Sequence, residues 1–164
     1  MLFIVMLGGK HPHARIEVHD VVFVIADSLE ATYPQLREAW FGSTKGMHID
    51  AWMAVDGVGD WQVTLSDVAP GPSELRLFFI NLGGYEPGAF GEAHHYLLVT
   101  AHSAAQARAQ GKRQMLKGWQ QPHTDAVLDI DDCLPIDQVG GRYVQLLRGP
   151  HRGVEIGSDY IVLG

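Results

Sequence analysis

The sequence predicts an α+β fold, a tandem duplication of a ββα(ββ) module forming mostly antiparallel sheet with two helices packed on it. Three observations carry this reading. Leu2-Phe3-Ile4-Val5-Met6-Leu7-Gly8-Gly9 returns as Leu77-Phe78-Phe79-Ile80-Asn81-Leu82-Gly83-Gly84, an offset of 77 − 2 = 75. The same offset, without a gap, aligns Pro12 with Pro87, Glu17 with Glu92, His19 with His94, Gln35 with Gln110, His48 with His123 and Asp50 with Asp125. Of the 55 positions from Leu2 to Asp56, 17 are identical to their counterparts in 77–131, too many to hold register by chance across two turns and a helix. Within each copy the apolar period also changes from that of strands to that of a helix.

The first strand, Leu2–Leu7, is an unbroken apolar run, as expected of a central strand covered on both faces, and Gly8-Gly9 ends it. The second, about Glu17–Ala26, begins polar and becomes apolar. Alternation places Glu17, His19, Val21, Phe23 and Ile25 on one face, and Glu92, His94, Tyr96, Leu98 and Thr100 on one face in the second copy. Asp27-Ser28 and His102-Ser103 cap the helices. Leu29, Tyr33, Leu36 and Trp40 form an apolar stripe at helical spacing, and Pro34 inside it should kink the helix or shift its start. In the second helix Ala104, Ala107, Gly111 and Met115 suit a close approach to a sheet. Short strands follow at Ala51–Val55 and Trp61–Leu65, and at Val127–Cys133 and Arg142–Leu147.

These elements divide the chain into a first module, 1–67, a second, 74–147, and an extension, 148–164. Pro70-Gly71-Pro72-Ser73 reads as the linker. About seven extra residues enter the second copy after Asp131, and register resumes with Trp61 opposite Tyr143. Tyr160–Leu163 reads as one added strand. A module of about 65 residues would be marginal alone, so the two copies are expected to share a sheet, with the helices on one face.

Composition narrows the function. A net charge of −7 over 164 residues excludes a general nucleic-acid binder, which needs a basic surface. The single cysteine, Cys133, excludes an internal disulfide framework and implies a reducing compartment. Leu2–Leu7 is too short for a signal segment or a membrane span. The expectation is a cytoplasmic protein with neither nucleic-acid nor membrane partner.

The residues best placed to carry chemistry are polar groups present in both copies: Glu17, His19, His48 and Asp50, with Glu92, His94, His123 and Asp125. Glu-x-His on a strand sets carboxylate and imidazole on one face, and each copy could assemble an N2O2 set suited to zinc or another divalent metal. The competing reading has these groups hydrogen-bonding backbone where the apolar face ends. A second feature is basic: Arg108, Lys112, Arg113 and Lys117 lie on one helix with no acidic residue from Ser103 to Trp119, a candidate patch for an anionic partner. No P-loop and no G-x-S-x-G elbow occurs, and the aspartates of 125–137 lack the glycine and closing glutamate of an EF-hand.

Taken together, Leu-Gly-Gly, Glu17-Val18-His19-Asp20, Tyr33-Pro34-Gln35-Leu36-Arg37 and His48-Ile49-Asp50-Ala51-Trp52 resemble the bacterial domain-of-unknown-function family 1543. Phe79-Ile80-Asn81-Leu82-Gly83-Gly84-Tyr85 and Glu92-Ala93-His94 resemble it too, so the resemblance covers both modules to about Leu147 and implies a duplicated domain. It implies no activity. With no cofactor motif evident, the first functional expectation is a binding module, regulatory or inhibitor-like, that docks a protein partner rather than acting as an enzyme. The alternative is a small metal-dependent enzyme, a hydrolase, using the Glu/His and His/Asp sets.

Overall fold

The computed structural model describes residues 1–71, 74–85, 88–118 and 128–164. In chain order the elements are β1 (Leu2–Gly9), β2 (Val18–Ile25), a 3₁₀ turn (Glu30–Thr32), α1 (Tyr33–Ala39), β3 (His48–Val55), β4 (Gly57–Val58) and β5 (Trp61–Ser66). They continue as β6 (Arg76–Gly84), β7 (Ala93–Ala101), α2 (Ala104–Gly118), β8 (Leu128–Pro135), β9 (Gln138–Val139), β10 (Arg142–Arg148), β11 (Val154–Gly157) and β12 (Ile161–Val162). The architecture is α+β, mostly antiparallel, with two helices. The chain divides into two compact units: residues 1–65 with 139–142 and 147–164, and residues 66–138 with 143–146.

In the first unit β1 is central, with β2 on one side and β3 on the other, both antiparallel. Its apolar run reflects this, since Leu2, Phe3, Ile4, Val5 and Leu7 are all buried. Phe3, Val5 and Leu7 point to the helix side, where they pack with Leu36, Trp40, Met47 and Ile49; Leu29 and Tyr33 of the predicted stripe pack against the same core. Pro34 does shift the helix start: α1 opens at Tyr33 with proline in its first turn, where a missing N–H costs nothing. The segment before it, capped by Ser28 Oγ accepting from Ala31 N–H at 3.3 Å, is held as a 3₁₀ turn.

The extension adds two strands rather than one. β11 and β12 both pair antiparallel with β3, covering the edge that β1 leaves open. Backbone bonds from Leu163 to Met47 (2.8 Å) and from Gly46 to Gly164 (3.1 Å) carry the pairing to the C-terminus.

In the second unit β6 is central between β7 and β8. Phe78, Ile80 and Leu82 form a core with Val99, Ala101, Ala107 and Ile130 under α2. Gly111 lets the helix approach: a β-carbon there would stand 3.3 Å from Ile80 and 3.4 Å from Ile130. Ala104, expected on the same face, is exposed, as the first residue of the helix. Arg108, Lys112 and Arg113 are exposed; the side chains of Met115 and Lys117 lie outside the described residues.

The expectation that both helices lie on one sheet is corrected, although β4, β5, β10 and β9, two from each predicted module, do form one sheet. β1 and β6 belong to different sheets, and each helix packs on its own. The reason is hydrogen-bond capacity: both central strands are paired along both edges, so neither has donors or acceptors left to join the other.

Candidate functional site

Side chains alternate across a strand, so the face of β1 opposite its core residues carries Leu2, Ile4, Met6 and Gly8. In register with Gly8 lie His19 of β2 and His48 of β3. The β1–β3 ladder slips by one residue between Met6 and Leu7, leaving Asp50 without a direct partner. This bulge lets Asp50 aim back toward the face it would otherwise leave. Glu17, just ahead of β2, completes the group.

Glu17, His48 and Asp50 each present a ligand atom within 4.8 Å of the others. His48 Nε2 is 3.5 Å from Glu17 Oε1 and 3.4 Å from Asp50 Oδ1. His19 Nε2 lies against both carboxylates, 3.4 Å from Glu17 Oε1 and 3.2 Å from Asp50 Oδ2. Gly8 is the floor of the cluster. A β-carbon there would stand 2.5 Å from both Asp50 Oδ2 and His48 Nε2, so only glycine admits this convergence.

Burial divides the four groups. His48 is 1% exposed, whereas Glu17, His19 and Asp50 are 45%, 48% and 30% exposed, so the cluster is anchored on one buried imidazole and open to water above it. His48 Nδ1 sits 2.9 Å from the carbonyl oxygen of Gly46. A carbonyl only accepts, so Nδ1 carries a proton, and the ring turns its Nε2 toward the carboxylates. Among the described residues that Nε2 has no hydrogen-bond partner, and neither does Asp50 Oδ2. The ring of Tyr160, from the extension, lies 4.3 Å from that of His48, centroid to centroid. Nothing in the residue pattern marked Tyr160, because its partner is more than a hundred residues away in sequence.

The second unit holds a related cluster with one different member. Glu92, His94 and Asp131 present ligand atoms within 4.8 Å of one another, with His94 Nδ1 3.3 Å from Asp131 Oδ2. His123 and Asp125, expected there from the ungapped register, lie outside the described residues. Asp131 holds the site position because β8 meets β6 as β3 meets β1, with a slip between Asn81 and Leu82 that leaves Asp131 at the bulge. Asp129 faces Gly83 across the ladder but turns elsewhere: its Oδ1 accepts from Ile130 N–H at 2.8 Å and lies 3.1 Å from Lys112 Nζ. Those two contacts hold its carboxyl below the usual range, the backbone bond foremost.

A sequence signal for Asp131 exists. Ile49-Asp50, Asp56, Val58-Gly59, Val63 and Leu65 return as Ile130-Asp131, Asp137, Val139-Gly140, Val144 and Leu146, all at an offset of 130 − 49 = 81. At this offset Trp61 stands opposite Arg142 rather than Tyr143. The coincidence of two histidines and two aspartates at an offset of 75 masked this.

The crystal structure of a protein Il1583 from Idiomarina loihiensis is similar to this chain, with 33% sequence identity over 99% of this chain and 97% of that one and a TM-score of 0.74. Residues 14–65 match the family model described as Domain of Unknown Function (DUF1543). The chain belongs to the DUF1543 family. No curated protein matches it. The DUF1543 match spans Glu17, His19, His48 and Asp50, and leaves Glu92, His94 and Asp131 outside it. Among the described residues no helix is long and apolar enough to cross a membrane.

Proposed function

We propose that this protein is a small metal-dependent hydrolase whose centre is Glu17, His48 and Asp50, with His19 beside them, holding a divalent cation of the zinc class. The observation that carries the reading is the Nε2 atom of His48: buried, oriented through its other nitrogen, and without a hydrogen-bond partner among the described residues. A buried ring nitrogen facing two carboxylates needs a proton or a cation between them, and a cation held by all three groups supplies it. The spacing agrees. Zinc bonds of about 2.0–2.1 Å imply tetrahedral edges of roughly 3.3–3.4 Å. The distances from Nε2 to the two carboxylates are 3.4 and 3.5 Å, long for hydrogen bonds.

Three protein ligands and an open side favour catalysis over a closed structural site. A cation held there would polarise a substrate carbonyl or phosphoryl oxygen and make water more acidic. His19, half-exposed and within reach of both carboxylates, is placed to take and return a proton. The test is metal content: the purified protein is expected to hold near-stoichiometric zinc, and His48→Ala to lose it. Protein that arrives without metal and takes up none on zinc titration would leave His48 as a charged partner of Glu17 and Asp50 and sink the proposal.

A binding module docking through α2 has less support. Lys112 is engaged by Asp129, and Arg108 donates to the carbonyl of Ile130 at 3.3 Å, which leaves a smaller patch than the sequence suggested. We also read the chain as internally duplicated. Supporting this are the offsets of 75 and 81 and the equivalent bulges at Met6/Leu7 and Asn81/Leu82. So are matched bonds from Gln35 to Ile25 O (3.0 Å) and from Gln110 to Thr100 O (3.1 Å). Val63 N–H and Val144 N–H donate alike, to Asp56 O and Asp137 O, both at 2.9 Å.

A further inference from the structure

We propose that the second unit carries its own divalent-cation site, built from Glu92, His94, Asp131 and the amide oxygen of Asn81, and suited to a harder, manganese-class cation. It shares no residue with the centre in the first unit and does not depend on that centre's assignment. Asn81 lies two residues before Gly83 on β6, so both face the same way. Its Nδ2 donates to Asp132 Oδ2 at 3.1 Å. That bond fixes the amide, and Oδ1 is thereby turned toward His94 Nδ1, 3.1 Å away. Asp132 thus acts as a positioning residue. Met6 occupies the corresponding place on β1, so the first centre has no such oxygen.

The floor is again a glycine. A β-carbon on Gly83 would collide with Asp131 Oδ2 and Glu92 Oε1, so the absence of a side chain lets these two carboxylates meet. Like charges brought together at this distance repel unless something positive lies between them. Lys112, a nearby cation, is engaged by Asp129 instead. His94 Nδ1 faces two acceptor oxygens, from Asp131 and Asn81, so in the metal-free chain it carries a proton.

Donor chemistry sets the class of cation. One imidazole nitrogen and three oxygens, one of them an amide oxygen, form a harder set than that of the first unit, where a buried imidazole dominates. Glu92 is half-buried and His94 and Asp131 are exposed, so the second site is more open to water than the first and its affinity should be lower.

The test is titration of the full chain, stripped with chelator, with manganese(II) alone, reading free manganese by electron paramagnetic resonance. His48→Ala/Asp50→Asn protein, lacking the first centre, should still take up close to one equivalent. Glu92→Gln/Asp131→Asn should lose that equivalent, with affinity falling at least tenfold, while circular dichroism reports an unchanged fold. Asn81→Ala should weaken uptake several-fold and Asn81→Asp should restore it, a pattern that loss of packing would not give. If the first double variant fails to fold, Glu92→Gln/Asp131→Asn in the otherwise unaltered chain must still remove one manganese equivalent. No uptake by the unaltered chain, or uptake untouched by Glu92→Gln/Asp131→Asn, overturns the proposal. Zinc content lost with His48→Ala reports on the first centre alone, so the two readings fail separately.

Discussion

Gly8→Ala tests the first centre without removing a ligand. The added β-carbon would stand 2.5 Å from Asp50 Oδ2 and His48 Nε2, and 3.1 Å from a ring carbon of His19. Ordinary contact begins at 3.4 Å, so both donor atoms must retreat by 3.4 − 2.5 = 0.9 Å. A ligand set works only when held within about 0.5 Å of its productive geometry, so this displacement exceeds the tolerance. His48 is fully buried and its Nδ1 is tied to Gly46, which leaves the ring little room to move. Overpacking of this kind costs about 1–3 kcal/mol of fold stability. Zinc affinity should fall at least tenfold, about 1.4 kcal/mol. The assay is zinc titration against a competing chelator, with a thermal melt of the metal-free chain alongside. Wild-type zinc affinity in Gly8→Ala would refute the claim that Gly8 is the floor of a metal site. A lower melting temperature with unchanged affinity would refute it as well.

Leu36→Ala empties a fully buried position between α1 and β1 and should cost about 2–5 kcal/mol in denaturant unfolding, with exposed loops unaffected. Acid should loosen the extension before the core. Asp56 Oδ2 accepts from Arg152 N–H at 2.7 Å, and that bond, ahead of the nearby Arg152 charge, lowers the Asp56 pKa. Because the folded value lies below the unfolded one, the bond's contribution is complete above about pH 4 and is lost as pH falls through the lowered value. Hydrogen exchange at residues 152–157 should therefore accelerate at acid pH, and Asp56→Asn should show the faster exchange already at neutral pH. Equal exchange in both proteins would remove Asp56 from this role.

Much of the fold was legible in residue patterns, because the groups concerned are near neighbours in the chain. An unbroken apolar run gave β1, alternation gave β2, and the 3–4 spacing of Leu29, Tyr33, Leu36 and Trp40 gave the first helical segment, with Pro34 marking where α-helix can begin. The pairing of Glu17 with His19 on one face followed from strand geometry alone. Other features depend on contacts distant in sequence. β11 joins β3 because β3 has a free edge, which alternation in Val154-Glu155-Ile156 cannot announce. The separation of β1 and β6 into different sheets follows from both edges of each being paired. Asp131 enters its site through a bulge, a feature of two strands together, and residue identities at an offset of 75 favoured Asp125. Tyr160 meets His48 only after the extension has folded back. The sequence by itself determined which strands are central and where each helix can start. Tertiary structure decided which donors meet, because ladder register sets what a strand presents to its neighbour, and register is fixed by packing across the whole sheet.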